Sequence, residues 1–237
     1  MKKFSSESGI PVFPEGARVV GTVHSPGALR CALKLKPGSV DVLELRLDAF
    51  VSDLETLEKA ARRLKFPLLI TARHPAEGGV GGLSAGARGA LYRRFLPYAA
   101  WMDVELRSMK PLAHVVSEAR TAGVQVVVSS HFFRRMPSLT QLKALAGKAR
   151  RAGADVFKLA AKAERPADVA TLLGLFPGSA GQHLAVMGMG AFGKVSRLVL
   201  ARAGSVLNYG YLDQPNASGQ WEATELRKQI LKLTAGA

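Results

Sequence analysis

The chain is expected to fold as an α/β protein of the closed (β/α)8 (TIM) barrel class. Strand-like apolar runs alternate strictly with helical segments along its length. Eight such units fill the 237 residues, and no gap between them is long enough for a linker. Strict alternation implies a parallel sheet, and eight units in a chain of this size suit one barrel domain spanning residues 1–237. A doubly wound open sheet is the second reading, weakened by the absence of GxGxxG after the first strand.

Each unit has its own justification. "ARVVGTV" (17–23) is β-branched and precedes "PGALRCALKLK". "DVLELRLDAF" (41–50) alternates leucine with charge, and "SDLETLEKAARRLK" follows with Ser52 or Asp53 as N-cap and an apolar stripe of helical period. "PLLITAR" (67–73) leads through a glycine-rich loop to "AGARGALYRRFLPYAA". "WMDVEL" (101–106) precedes "PLAHVVSEARTAG", and "VQVVVSSH" (124–131) precedes "SLTQLKALAGKARRAG". "DVFKLA" (155–160) precedes "RPADVATLLGLF", and "HLAVMGM" (183–189) precedes "GKVSRLVLARAG". "SVLNYGY" (205–211) and "WEATELRKQILKLT" close the series.

Composition narrows the function. A 48% hydrophobic fraction supplies a sizeable core. The single Cys31 builds neither an internal disulfide nor a cysteine zinc site, which fits a reducing cytoplasm. The opening "MKKFSSESGIPVFPEG" has no apolar signal-peptide core, and no stretch approaches a membrane span. The formal charge of +15 admits nucleic acid, an acidic surface or anionic substrates as partners. The basic residues are dispersed over helix-like segments and aromatics are only 7%, so a nucleic-acid platform is disfavoured.

In a barrel, chemistry collects at the C-terminal ends of the strands. Glu44, Arg46 and Asp48 share one face of the second strand and are expected in the lumen, where charges must pair with one another or with a ligand. Arg73 stands at the third strand tip, and Glu77 just beyond it is followed by a glycine cluster that suits a turned loop or lid. The fourth strand offers Asp103 and Glu105, the fifth His131. "MGMGAFGKVSR" opens a helix whose amide groups favour an anion, with Arg197 one turn in. "NYGYLDQPNASGQ" ends in Gln220.

Each feature alone has a plainer explanation, such as a solvated face, a packed histidine or a surface loop. Lys158 is the hardest to explain so, because Val156, Phe157, Leu159 and Ala160 surround it and a buried ammonium is costly unless paired. Set beside Arg46 and Arg73 in a dry barrel mouth, it is expected to surrender its proton readily, which makes a lysine nucleophilic toward carbonyl carbon. A nearby histidine then moves protons. Together the residues point to one anion-binding active site with a lysine at its centre.

At this combination the chain resembles the type I 3-dehydroquinate dehydratases, Schiff-base enzymes of the shikimate pathway. The resemblance is carried by "ELRLD", "TARHPAEGG", "DVE", "SSHFF", "FKLA", "MGMGAFGKVSR" and the terminal "GQ", in the family's order over nearly the whole chain. It implies that Lys158 forms an imine with a keto-acid substrate and that His131 is acid and base. Glu77 would orient His131 and, by its charge, raise the imidazole pKa. Arg197 would hold the substrate carboxylate, and Glu44, Arg46, Arg73 and Gln220 would fix its ring and hydroxyls. It also implies a cytoplasmic homodimer acting on a small carboxylate, with no metal or diffusible cofactor.

Two positions depart from the family pattern. Asn216 and Ser218 stand where the last loop usually has serine and proline, and Gly21 or a neighbour replaces a serine near the end of the first strand. Two other readings of the residues stay open. One is a different lysine-imine barrel lyase, such as an aldolase, and the other is a non-catalytic binding protein of the same fold.

Overall fold

The computed structural model describes residues 16–177 and 181–234. The leading segment judged to lack a signal-peptide core lies almost wholly outside the described residues. Eight strands form one parallel sheet: β1 (Arg18–Val23), β2 (Val42–Arg46), β3 (Leu68–Thr71), β4 (Trp101–Glu105), β5 (Gln125–Phe132), β6 (Val156–Lys162), β7 (His183–Met189) and β8 (Leu207–Tyr211). Neighbours run β7-β6-β5-β4-β3-β2-β1-β8. The amide of Val206, entering β8, donates to the Leu184 carbonyl of β7 at 2.8 Å and draws the last two edges together. The expected barrel is therefore the observed one.

Helices α1 (Pro26–Ala32), α2 (Leu54–Ala61), α3 (Ala85–Phe95), α4 (Ala113–Thr121), α5 (Leu139–Arg151), α6 (Pro166–Leu173), α7 (Gly193–Arg202) and α8 (Ala223–Thr234) surround the strands. Their starts follow local chemistry. The Ser25, Ser84 and Ser138 hydroxyls accept from backbone amides of the first turn, and at α5 Gln141 returns the bond to complete a capping box. At α2 the N-cap is Asp53, one of the two candidates, but its side chain makes no capping bond. No helix among the described residues is long and apolar enough to cross a membrane.

Period-two alternation sorts the strand residues between two cores. Leu43, Leu45, Ile70, Met102, Val104, Val126, Val128, Phe157 and Leu159 face outward into the layer between sheet and helices. Val20, Val42, Leu69, Trp101, Val127, Val156 and Leu207 face inward and belong to an apolar cluster in the lumen. This cluster is a packed floor, as barrels of this class require, and it puts the polar lumen residues one or two steps further along each strand.

One element departs from expectation. The second strand ends at Arg46, and Leu47–Asp53 wind into 3₁₀ turns. Asp48 is therefore not a third lumen charge in strand register. Its carboxylate instead receives both Nε and Nη2 of Arg46, at 3.0 and 2.8 Å, and the amides of Arg73 and Val80. Burial opposes ionisation of this carboxyl, but the bonds from Arg46, Val80 and Arg73 hold it below its usual range.

The two-core arrangement makes a stability prediction. Phe157 is fully buried in the outer layer beside Lys158. Phe157→Ala is expected to cost about 3–5 kcal/mol of unfolding free energy through lost burial and the cavity left behind. A urea titration of the variant checks it.

Candidate active site

The strand ends converge on one cavity at the barrel mouth, lined by Thr22, Glu44, Arg46, Arg73, Glu77, His131, Lys158, Arg197 and Gln220 with apolar walls from Phe133, Met187, Met189 and Tyr209. The eight residues given a role by the family resemblance are all among these, whereas Asp48, Asp103 and Glu105 are not.

Lys158 is 4% exposed. Its Nζ donates to Asp103 Oδ2 at 2.8 Å, lies 3.6 Å from Glu44 Oε1, and sits 3.8 Å from the centroid of the Tyr209 ring. The expected Arg73 is close by, bonded to the same Asp103 Oδ2, but two carboxylates and an aromatic face lie against the ammonium and make its burial tolerable.

Arg73 stands behind these carboxylates. Its Nη2 bonds Asp103 Oδ2 at 2.8 Å, and its Nη1 bonds Asp103 Oδ1, Glu105 and Ser129. Burial acts against the charge of Arg73, yet the three carboxylates Asp103, Glu105 and Glu44 raise its pKa overall. Burial would likewise raise the Asp103 carboxyl, but Arg73 and Lys158 hold it far below its ordinary range. Arg73 thus borders the cavity while its guanidinium bonds go to protein. Arg88, buried in α3, continues the network through Glu105 Oε2 at 2.7 Å and Ser108.

On the far side, Glu77 Oε2 accepts the backbone N–H of His131 at 3.0 Å and lies 2.9 Å from its Nδ1. Glu77 is carried there by a short 3₁₀ turn (Pro75–Glu77) that ends on Gly78 at φ +85°, a conformation suited to glycine. Gly79 is required next to it, because a β-carbon there would collide with the Arg73 carbonyl. The glycine run thus builds a tight turn against the strand end.

The electrostatics of this pair correct one expectation. The His131 pKa lies well below the ordinary imidazole value, chiefly through burial and then through the charges of Arg73 and Lys158. The net direction is downward because burial and the cations Arg73, Lys158 and Arg46 outweigh the opposing charge of Asp103. Burial lifts Glu77 to about 7, against the cations Arg73 and Arg107. The His131 imidazole is therefore neutral at physiological pH.

The third side of the cavity is cationic. Arg197 is 1% exposed on α7. Its Nε donates to the Tyr209 carbonyl, and its Nη1 donates to the carbonyls of Gly188, Gly193 and Gly219 at 2.8–2.9 Å. No carboxylate among the described residues pairs with it, and burial alone lowers its pKa to about 10. A buried guanidinium held by backbone, with Nη2 left over, is a place for an anion.

The last loop is stitched to this arginine. Gly190 N–H bonds the Ser218 carbonyl at 3.1 Å, and Gln220 Oε1 accepts the amides of Asn216 and Ala217. These bonds hold the loop without the proline, and Gln220 keeps its –NH2 as a donor. On β1 it is Thr22, not Gly21, that lines the cavity; Gly21 faces Leu43 and Leu212. The Thr22 hydroxyl and the Tyr209 O–H are buried without a hydrogen-bond partner. Arg46 reaches the rim, held by Asp48 and by the Gly78 carbonyl at 3.1 Å.

Sequence reasoning offered Asp103 as a strand-end group but gave it no role, and it did not single out Thr22, Tyr209, Phe133 or Arg107. Strand parity was the available signal for Asp103, Thr22 and Tyr209, each of which falls on an inward position. Phe133, stacked on His131 at 6.2 Å, and Arg107 leave no such signal because they lie beyond strand ends. The ion network predicts a specific cost. Asp103→Ala would leave the Arg73 and Lys158 charges under-compensated in the lumen, and a loss of about 3–5 kcal/mol in unfolding free energy is expected from equilibrium denaturation.

Comparison with known proteins points one way. A family model described as type I 3-dehydroquinase matches residues 24–235. The 3-dehydroquinate dehydratase of Thermococcus onnurineus is 34% identical over 215 residues, covering 90% of this chain and 96% of that protein. The crystal structure of the Clostridium difficile type I 3-dehydroquinate dehydratase with covalently modified comenic acid superposes with a TM-score of 0.84 at 26% identity, over 94% of this chain and 95% of that one. The Geobacillus kaustophilus 3-dehydroquinate dehydratase gives 0.83 at 27% identity, over 92% and 91%.

Proposed function

The chain belongs to the type I 3-dehydroquinase family, and from that premise we propose how its barrel mouth performs the reaction. It is a hydro-lyase that dehydrates 3-dehydroquinate to 3-dehydroshikimate through a lysine imine. The observation that carries the assignment of residues is one cavity holding a buried lysine, a neutral histidine and an arginine with no carboxylate partner among the described residues.

Lys158 is the nucleophile. Its ammonium gives a proton to His131, Nζ attacks the ketone carbon, and return of that proton to the carbinol oxygen expels water and leaves a protonated imine. Asp103, Glu44 and the Tyr209 ring already surround that nitrogen and favour its positive charge. The imine withdraws electrons from the adjacent carbon and acidifies its proton. His131 takes that proton as base, the enamine expels the hydroxyl on the next carbon, and the same histidine returns the proton to the leaving oxygen. Water then hydrolyses the product imine. Glu77, at 2.9 Å from Nδ1, keeps the imidazole oriented with Nε2 toward the cavity.

Arg197 receives the substrate carboxylate through Nη2, since no carboxylate among the described residues is paired with that guanidinium. Gln220, Arg46 and Glu44 border the ring hydroxyls, and the unpartnered Thr22 hydroxyl supplies a further polar contact. Arg73 acts on the substrate mainly by holding Asp103 and Glu105. A cytoplasmic homodimer without a nucleic-acid partner is the accompanying reading. It is supported by the lone Cys31, the dispersed charge and family likeness, and tested by light scattering and by retention on immobilised DNA and RNA.

Borohydride trapping with 3-dehydroquinate, read by intact mass, tests the nucleophile. Lys158→Ala is expected to abolish the adduct. His131→Ala is expected to lose nearly all turnover in an ultraviolet assay for the enone, while still trapping the imine slowly. An adduct mapping to Lys162, or a folded His131→Ala protein with near-normal kcat, would overturn the assignment. Arg197→Ala is expected to raise KM by a factor corresponding to about 2–5 kcal/mol, the cost of losing a buried charge partner. An unchanged KM would place the carboxylate elsewhere.

A further inference from the structure

Glu77 has two oxygens with different tasks. Oε2 faces inward to His131, while Oε1 faces Arg107, whose Nε lies 3.2 Å away. Arg107 sits in the 3₁₀ turn Leu106–Ser108 that follows β4. Its side chain is 53% exposed and that of Glu77 only 9%, so the pair spans the solvent edge of an otherwise dry site.

The charge state of Glu77 decides which nitrogen of His131 is a base. An ionised carboxylate can only accept, so Nδ1 carries the proton and Nε2 keeps its lone pair toward the cavity. A protonated carboxyl can donate to Nδ1, and then the neutral imidazole carries its proton on Nε2 and cannot take one from substrate. We propose that Arg107 is a positioning residue for this reaction: its guanidinium keeps Glu77 ionised, and so keeps His131 in the tautomer that can act as base. The inference rests on the reading of His131 and Glu77 given above.

The groups facing the pair show why this cation matters. Toward Glu77 stand Arg73 from the end of β3, Glu105 from β4, Arg107 from the turn after β4, and His131 from β5. Toward His131 stand Arg73, Lys158 of β6, Asp103 of β4 and Arg46 of β2. Arg73 is already bonded to Asp103 and Glu105, and Glu105 opposes the ionisation of Glu77. Apart from His131, Arg107 is the only basic group within salt-bridge distance of Glu77 among the described residues. Glu77 sits at about 7, so a modest change in its partner moves its charge within the physiological range.

The test is the pH profile of kcat, with rates expressed per borohydride-trappable site so that misfolded protein does not count. Removing the cation raises the carboxyl's affinity for protons, so the acid limb moves to higher pH. For Arg107→Met we expect a shift of roughly half a pH unit or more, about a threefold loss at pH 6 that shrinks as the pH rises. Arg107→Lys should restore most of the wild-type limb. Glu77→Gln, which cannot ionise, should alter the acid limb by itself and make Arg107→Met in that background cause no further shift. If Glu77→Gln leaves the limb unchanged, the reading of Glu77 fails. If Glu77→Gln changes it while the Arg107→Met profile overlays the wild type, the proposal for Arg107 alone is overturned.

Discussion

The site depends on one buried carboxylate. Asp103 has both oxygens inside the barrel, where Oδ2 accepts from Lys158 and Arg73 and Oδ1 from Arg73 and Ser129. Without it, two cations would share a lumen floored by apolar side chains, with Glu105 and Glu44 compensating them only in part. With it, a lysine and an arginine can both be buried, and each is aimed. Tyr92 braces the same strand from outside, donating to the Asp103 carbonyl at 2.6 Å. The reactive nitrogen is therefore fixed by strand pairing and electrostatics together.

Desolvation does the rest, and it acts oppositely on the two halves of the acid–base pair. It pushes His131 down, where the imidazole is neutral, and Glu77 up toward neutrality. Phe133 stacks on the imidazole and lies above Gly78 at the edge of the pair. The pair shares few charges between two groups that can both lose them. Its chemistry then depends on which cations lie nearby, and these come from four different strands or strand ends.

Anion recognition rests on a third arrangement, made almost wholly of backbone. Four carbonyls from β7, α7, β8 and the last loop hold Arg197, and close approach of Gly193 to Gly219 brings those segments within reach. A β-carbon at Gly193 would press on the Gly219 carbonyl at 2.6 Å, so the loop can close over the arginine only because both positions lack side chains. Changes such as Asn216 and Ser218 are tolerable in this setting. The loop is held by Gly190, Gln220 and Arg197, not by a proline ring.

The barrel and most of the site were legible in the linear chain because both rest on short-range rules. Period two placed Glu44, Arg46, His131 and Lys158 on inward faces, and eight alternating units implied closure. What needed the tertiary structure was every property set by partners from distant segments. The end of β2 was decided by amides of Arg73 and Val80 reaching Asp48, contacts 25 and 32 residues away. Lys158 was placed by its sequence but given Asp103 and Glu44 as neighbours by the closing of the barrel. The protonation of His131 followed from the sum of burial and charges contributed by four strands. Local periodicity fixes where a side chain points; its charge depends on the dielectric and ions around it, which exist only once the strands have come together.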